Sequence, residues 1–236
     1  MTALLELRDV HASYGEIEAL TGVNLAVEPG EVFGVLGPNG AGKTTMLRVA
    51  AGLHSPTSGD VTMAGRRVNG VPADVLARAG VCLIPEGRGI FPNLTVREHL
   101  RMATYCGVAL ADVEEAAYHR FPRLKERRDQ SAGTMSGGEQ QMLSVARAVA
   151  TKPAVLLLDE LSMGLAPMIV EELYATIANI AKGGMAIIVV EQFAKAVLGV
   201  ASRAAIMVDG RVTATGTPAE LHDQLSAAYL GTTKTH

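Results

Sequence analysis

The 236-residue chain contains no tryptophan, and aromatic residues make up only 4% of it. Proteins that bind single-stranded nucleic acid stack bases on exposed aromatic rings, so this composition argues against that class. The formal net charge of −3 also argues against a surface that follows the phosphate backbone of DNA or RNA. We therefore expect no nucleic acid among its partners.

Cysteines and long apolar runs are also scarce. Cys82 and Cys106 are the two cysteines of the chain, and they lack the spacing of a metal site or a redox pair, so we expect packed thiols in a reducing compartment. No apolar run approaches the ~18 residues that a membrane-spanning helix needs. The first residues carry charges where a signal peptide needs an apolar stretch. These absences predict a cytoplasmic protein that would act at a membrane only through partner subunits.

One glycine-rich stretch carries the first chemical signal. Residues 37–45 are Gly-Pro-Asn-Gly-Ala-Gly-Lys-Thr-Thr, which fits the P-loop pattern, and they lie between a predicted buried strand at 31–36 and a predicted helix at 45–51. In a P-loop, backbone N–H groups surround phosphate oxygens, the lysine (Lys43) reaches the β- and γ-phosphates, and the hydroxyl of Thr44 is placed to ligate Mg²⁺. The alternative, an ordinary glycine turn, is disfavoured by the order of strand, loop and helix. The predicted phosphate-binding residues are Gly37, Pro38, Asn39, Gly40, Ala41, Gly42, Lys43, Thr44 and Thr45.

A second signal lies at the end of another apolar segment. Residues 154–160 are Ala-Val-Leu-Leu-Leu-Asp-Glu, which predicts a buried strand that ends in two acids. Ligands of open α/β sheets bind at the carboxyl ends of the strands. In a chain with a P-loop, this pattern favours a role of the Asp159-Glu160 pair in placing Mg²⁺ and water, and the alternative is a pair of acids that cap a helix.

Two further segments leave alternatives open when taken alone. Tyr14 lies on a predicted loop upstream of the P-loop, where it would either stack on an adenine ring or be an ordinary surface tyrosine. Ser136-Gly137-Gly138 opens a helix predicted to run to about Ala150, and this start would either bind an anion or be a capped helix after a glycine turn.

The hydrophobic patterns predict an α/β fold. Apolar residues alternate at 4–10 and 23–27, which indicates a small antiparallel sheet, whereas the buried strands predicted at 31–36, 81–84, 154–159 and 185–190 indicate a parallel core. A mainly helical stretch from about 96 to 125, opened by the capping box of Thr95 and Glu98, is inserted between two parts of that core. Residues 204–208 and 211–215 predict a hairpin with a type I′ turn.

With these residues placed, almost the whole chain resembles the nucleotide-binding subunit of ATP-binding cassette transporters. Residues 37–45 resemble the Walker A loop of that family, 155–160 its Walker B strand with the catalytic glutamate, and 136–140 its signature motif. Tyr14 falls where the adenine-stacking aromatic of the family lies, and 162–166 resemble the loop that crosses the dimer interface.

The resemblance implies one ATPase domain over residues 1–236. A P-loop core with a parallel sheet and a flanking antiparallel β subdomain would comprise 1–93 and 150–236, and a helical subdomain with the signature motif would comprise 94–149. The implied cofactors are ATP and Mg²⁺.

Partners also follow from the resemblance. Two cassettes, identical or different, would face each other head to tail, so that Ser136, Gly137 and Gly138 bind the γ-phosphate held by the partner's P-loop. Permease subunits in the membrane would contact the segment with Phe91, Pro92 and Leu94, and a solute-binding protein would act indirectly. The protein would then be peripheral on the inner face of the cell membrane.

Shorter sequence segments indicate one subfamily within this family. Residues 84–88 and 91–96 resemble one of the two ATPase subunits of branched-chain amino acid uptake systems, and 139–143, 164–167, 190–192 and 228–231 agree with it. Urea and amide importers share some of these phrases and remain an alternative. A soluble ATPase that remodels nucleic acid or ribosomes is a second alternative, although such proteins usually carry two cassettes or long coiled coils, and this chain shows neither.

Two positions depart from the usual pattern of the family. Glu86 stands where glutamine is usual, and Gln192 stands where histidine is usual. Both would lie near the γ-phosphate, so Glu86 is a candidate Mg²⁺ ligand, with Arg88 as a candidate counter-charge. Gln192 completes the implied catalytic set of Glu160, Lys43 and Gln192, but it has no proton to gain near neutral pH.

Overall fold

The strands of the chain form two sheets in a computed structural model, which describes residues 3–87, 89–192 and 194–221. The first sheet is antiparallel, and its strands are β1 (Leu5–Tyr14), β2 (Ile17–Val27), β4 (Ser58–Met63) and β5 (Arg66–Arg67). They are arranged in the order β2-β1-β4-β5. This is the antiparallel sheet that the alternating pattern predicts.

Strand β1 is longer than predicted, and the prediction of a loop at Tyr14 is wrong. Tyr14 is the last residue of β1 and pairs with Ile17 of β2. The pairing register shifts between Leu7 and Val10, and Asp9 between them has a φ of 47°. Such a bulge changes the phase of the inward and outward alternation, so the alternation beyond Val10 could not be followed in the sequence.

The second sheet contains the P-loop strand. Its strands are β3 (Val32–Leu36), β6 (Val81–Ile84), β7 (Val155–Asp159), β8 (Ala186–Glu191), β9 (Arg203–Val208) and β10 (Arg211–Gly216). The order is β10-β9-β3-β8-β7-β6, and every neighbouring pair is parallel except the β9–β10 hairpin. The turn of that hairpin has positive φ at both central residues, Asp209 and Gly210, as a type I′ turn requires.

Eight helices are described, namely α1 (Lys43–Ala50), α2 (Ala73–Arg78), α3 (Val96–Met102), α4 (Leu110–Arg120), α5 (Pro122–Glu126), α6 (Gly137–Ala150), α7 (Pro167–Ala181) and α8 (Ala194–Leu198). Helices α3 to α6 lie between β6 and β7 in the chain, where the helical insertion is predicted. The capping box of Thr95 and Glu98 is confirmed at the start of α3. None of the helices in the described residues combines the length and apolar character needed to cross a membrane.

Every side chain of β3, β7 and β8 is buried, because the second sheet lies between two cores. Alternate residues of these strands belong to a core shared with α6 and α7 and to a core shared with α1 and the antiparallel sheet. The predicted α/β class with a parallel core sheet, an antiparallel sheet and inserted helices is confirmed. The subdomain boundaries at 93/94 and 149/150 stay a prediction.

Cys82 on β6 is half-buried, and burial raises the pKa of its thiol to about 11. A thiol with so high a pKa is protonated at neutral pH and is a poor nucleophile or metal ligand. This supports the prediction of a packed thiol at Cys82. Three parts of the sequence discussed above lie outside the described residues: the side chain of Cys106, the residue Arg88 and the segment at 228–231.

Candidate nucleotide-binding and hydrolysis site

Predicted site residues of the P-loop and of the segments that follow β6, β7 and β8 meet at the carboxyl ends of four parallel strands. Leu36 at the end of β3 pairs with Glu191 of β8, and Asp159 at the end of β7 pairs with Val190. A cleft of about 390 Å³ opens at this edge. Its lining residues are Tyr14, Ala19, Asn39, Gly40, Ala41, Gly42, Lys43, Thr44, Thr45, Glu86, Glu160, Met163 and Gln192. The parallel sheet therefore places the P-loop, Glu86, Glu160 and Gln192 around one cavity.

The P-loop is shaped by close backbone contacts. A Cβ at Gly37 would collide with the carbonyl oxygen of Met207, and Gly42 has a φ of 95° with the carbonyl oxygen of Ala19 2.6 Å from its hypothetical Cβ. Glycine is the residue that tolerates such a conformation and such an approach. The loop leads directly into α1, whose first residue is Lys43, so the first N–H groups of the helix face the cleft.

Lys43 is the cation of the cleft, and its side chain is only 5% exposed. Its ammonium group donates to the carbonyl oxygens of Gly37 at 2.9 Å and Pro38 at 3.1 Å, and lies 3.4 Å from Oε1 of Glu160. A buried ammonium ion placed over the loop in this way is positioned to pair with the negative phosphate oxygens of a nucleotide.

Thr44 and Asp159 provide two oxygen ligands that would suit Mg²⁺. The Thr44 hydroxyl donates to Oδ1 of Asp159 at 3.2 Å. Asp159 is 3% exposed, and burial raises the pKa of its carboxyl group, an effect opposed by the Thr44 hydrogen bond and strengthened by the charges of Glu160 and Glu86. The described residues hold no cluster of three His, Cys, Asp or Glu side chains that could hold a metal. This donor set fits Mg²⁺, which is commonly bound by one or two protein oxygens together with substrate phosphates and water.

Glu160 is held in an unusual backbone conformation, with a φ of 50°. Its N–H donates to the carbonyl oxygen of Val190 at 2.9 Å, and its Oε2 accepts from the N–H of Gln192 at 3.2 Å. A non-glycine residue with positive φ persists only where its surroundings fix it, and such residues cluster at functional sites. The structure thus brings Glu160, Lys43 and Gln192 together, as the sequence predicts.

Glu86 is exposed and lines the same cleft, after the end of β6. Its charge acts on Asp159, since it helps to raise the pKa of that carboxyl group. A metal-binding role for Glu86 stays a prediction.

Tyr14 lies at the rim of the cleft and is 42% exposed. One face of its ring stacks on the imidazole of His54, with ring centroids 4.4 Å apart and planes at 25°. His54 is held in turn by a hydrogen bond of 3.1 Å between Nε2 and the carbonyl oxygen of Ser13. Tyr14 is backed by His54 and borders the P-loop cleft. This position favours the prediction of a residue that stacks on an adenine ring over the prediction of an ordinary surface tyrosine.

Ser136, Gly137 and Gly138 do not line this cleft. The Ser136 hydroxyl and N–H bond to Glu139 in a capping box at the start of α6. A Cβ at Gly138 would lie 2.6 Å from Cγ2 of Ile169, so the start of α6 packs closely against the start of α7. Within one chain, these residues are therefore separate from the nucleotide cleft.

Sequence reasoning missed a buried group behind the cleft. Glu191 accepts hydrogen bonds from Ser162 and from the hydroxyl of Tyr174 on α7. The available signal was an acid at the end of an apolar strand, adjacent to Gln192. His54 was also missed, because no spacing rule connects it with Tyr14.

Comparisons with known proteins agree with this geometry. The profile of the ABC transporter family matches residues 20–162. The high-affinity branched-chain amino acid transport ATP-binding protein BraG of Pseudomonas aeruginosa is 39% identical over 236 residues, which cover 97% of this chain and 100% of BraG. The Nod factor export ATP-binding protein I of Cupriavidus metallidurans is 34% identical over 226 residues, which cover 94% of this chain and 74% of that protein.

A solved structure of an ATP-binding subunit of an ABC transporter superposes with a TM-score of 0.82 at 27% identity, over 95% of this chain and 94% of that one. In this chain the P-loop joins β3 to α1, Asp159 and Glu160 lie at the end of β7, and α6 follows Ser136 of the segment that resembles the signature motif. The chain belongs to the ABC transporter family, as one of its ATP-binding and ATP-hydrolysing cassettes.

Proposed function

We propose that this chain powers a membrane importer for branched-chain amino acids. The relative BraG, named for that transport, aligns over its full length, whereas the chain covers 74% of the Nod factor export protein. The phrases at 84–88 and 91–96 support the same substrate class. A urea or amide importer is the alternative that these phrases also allow.

The observation that carries the hydrolytic assignment is the contact of Lys43 with Glu160 and of Thr44 with Asp159 at one edge of the parallel sheet. Lys43 would pair with the β- and γ-phosphates of ATP, and Glu160 would orient or deprotonate the attacking water. Asp159 and Thr44 would hold Mg²⁺, which neutralises charge on the phosphate oxygens when bound. Gln192 lines the cleft, and its amide would donate a hydrogen bond to the γ-phosphate.

A second cassette would complete the site. Ser136, Gly137 and Gly138 lie at a helix start that does not face the chain's own cleft, so they are available to the nucleotide of a partner. The side chains of Met163 and Met168, near the cleft and the start of α7, are exposed as an interface would require. ATP between two such cassettes would join them, and hydrolysis would release them.

The surface for the permease would include the segment with Phe91, Pro92 and Leu94. The Phe91 side chain is 49% exposed, and its N–H donates to Nε2 of the buried His99 at 2.9 Å. Nδ1 of His99 bonds to the carbonyl oxygen of Thr95 at 2.9 Å, so α3 fixes the segment. Binding to permease subunits would hold the protein on the inner face of the membrane, and a solute-binding protein would deliver the substrate.

The test is uptake of labelled leucine, isoleucine or valine by vesicles that contain this chain, its permease subunits and the solute-binding protein. The proposal predicts uptake that needs ATP and disappears with Glu160→Gln. Uptake of urea or amides without uptake of branched-chain amino acids would favour the alternative importer. Co-sedimentation with ribosomes and no association with permeases would favour a soluble ATPase.

A further inference from the structure

Glu191 is a carboxylate with no exposed surface at the last position of β8. It accepts three hydrogen bonds, from Ser162 N–H to Oε1 at 2.7 Å, from the Ser162 hydroxyl to Oε2 at 2.7 Å and from the Tyr174 hydroxyl to Oε1 at 2.6 Å. We call Glu191, Ser162 and Tyr174 the Glu191 clasp. The clasp ties together three parts of the chain: the end of β8, the loop at 160–166 and helix α7.

The clasp lies directly behind the hydrolytic residue. Glu160 is bonded through its N–H to Val190, and Ser162, two residues later, is bonded to Glu191. Leu161 between them is buried. Two neighbouring residues of β8 therefore fix the backbone on both sides of Leu161 and with it the strained conformation of Glu160.

The clasp also connects the two ends of the loop that follows Glu160, because Glu191 bonds both to Ser162 and to Tyr174 on α7. Ser162 stands at the beginning of this loop, and Tyr174 lies two turns into α7, the helix to which the loop leads. Ile169, in the first turn of α7, packs on Gly138 of the signature helix. One carboxylate thus sets the positions of Glu160 and of the helix against which the signature motif rests.

Stability alone does not account for a carboxylate at this place. Burial raises the pKa of Glu191, which means that the charged form is disfavoured there, although its three hydrogen bonds oppose the shift. An apolar side chain in place of a buried charge is often neutral or stabilising, so the carboxylate needs a geometric reason. That reason is the pair of carboxylate oxygens, which accept hydrogen bonds from the loop at Ser162 and from Tyr174 on α7 at the same time.

We propose, building on the hydrolytic function proposed above, that Glu191 is a positioning residue for ATP hydrolysis. It holds the loop at 160–166 and α7 against β8, so that Glu160 keeps its place beside the γ-phosphate. Since Glu191 is fully buried, it would act through Glu160 and not by contact with ATP.

The test compares Glu191→Leu, which has similar size but no acceptor, with Glu191→Gln, which keeps an oxygen for Ser162 N–H and Tyr174. ATPase rates of the full-length protein are divided by the number of ATP-binding sites measured in the same sample. Glu191→Leu should lower kcat per site by about 10- to 100-fold, because small misplacements of a catalytic group have this effect. The Kd for ATP should change by less than about 2-fold, because the P-loop is untouched. Glu191→Gln should restore most of the rate.

Two tyrosine variants give a milder test and its control. Tyr174→Phe removes one donor of the clasp and should lower kcat per site. Tyr118→Phe removes a buried hydroxyl that has no hydrogen-bond partner among the described residues, and it should leave kcat unchanged. If Glu191→Leu does not fold, equal rates for these two variants would overturn the proposal.

Other results would also overturn it. A Glu191→Leu protein with the wild-type kcat per site would show that the clasp serves folding alone, and a Glu191→Gln protein as slow as Glu191→Leu would show that acceptor geometry is not what matters. A wild-type protein that binds no ATP and hydrolyses none would instead refute the proposed function.

Discussion

Replacing Tyr14 by alanine tests how the cleft recognises the base of ATP. One face of Tyr14 is covered by His54, so the other face is available to an adenine ring, and Lys43 with the P-loop remains in place for the phosphates. Stacking of a base on an aromatic side chain contributes about 1–3 kcal/mol by alanine substitution. Since 1.4 kcal/mol is a factor of ten in affinity, Tyr14→Ala should weaken ATP binding by about 5- to 150-fold.

Calorimetry with ATP and with inorganic tripolyphosphate separates the base from the phosphates. Tyr14→Ala should weaken binding of ATP and leave binding of tripolyphosphate unchanged, whereas Lys43→Ala should weaken both. Tyr14→Phe is the matched control, because it keeps the ring and should keep the affinity. Unchanged ATP affinity in Tyr14→Ala would refute the stacking role, and an equal loss for tripolyphosphate would show that the variant damages the P-loop.

Four further predictions concern Ser136 of the signature motif, the cleft residues Glu86 and Gln192, and the buried Glu191. Ser136→Arg should leave ATP affinity intact but prevent the ATP-dependent dimer that Glu160→Gln accumulates; a dimer seen by gel filtration in the double variant would place Ser136 outside the partner's site. Glu86→Gln should raise the Mg²⁺ concentration for half-maximal ATPase activity, and an unchanged Mg²⁺ requirement would exclude Glu86 as a ligand. Gln192→His should add a pH dependence of the ATPase rate between about 6 and 7, where histidine titrates. Burial raises the pKa of Glu191 in the folded state, so the wild type should lose stability relative to Glu191→Gln as pH rises above the ordinary carboxyl pKa of about 4.3. Denaturant unfolding at several pH values would measure this. A difference in unfolding free energy between the two proteins that does not change with pH would contradict the raised pKa.

The sequence predicts the residues whose place follows from sheet topology. Lys43 and Glu160 come after buried strands and Asp159 ends one, and the carboxyl ends of parallel strands meet at one edge, so their convergence follows from the sequence pattern. The hairpin of β9 and β10 could be predicted for a similar reason, because Asp-Gly has a strong local preference for its turn.

Other features depend on contacts between distant parts of the chain. His54 is 40 residues from Tyr14, and the Glu191–Ser162 contact joins residues 29 apart, so no local pattern connects them. The bulge at Asp9 also has no clear sequence signal, which is why Tyr14 was predicted on a loop. At Gly138 the sequence left open an anion-binding helix start or a capped helix after a glycine turn, and the structure adds a close contact with Ile169 that favours glycine.

This cleft is expected to bind ATP, and Glu160 is expected to drive its hydrolysis. The most direct measurement is the turnover of bound ATP by the wild type and by Glu160→Gln in the presence of Mg²⁺, with ATP binding measured on the same samples. Glu160→Gln should bind ATP and hydrolyse it at least ~100-fold more slowly, the loss expected for a group that transfers a proton. Turnover near the wild-type rate in Glu160→Gln would contradict it.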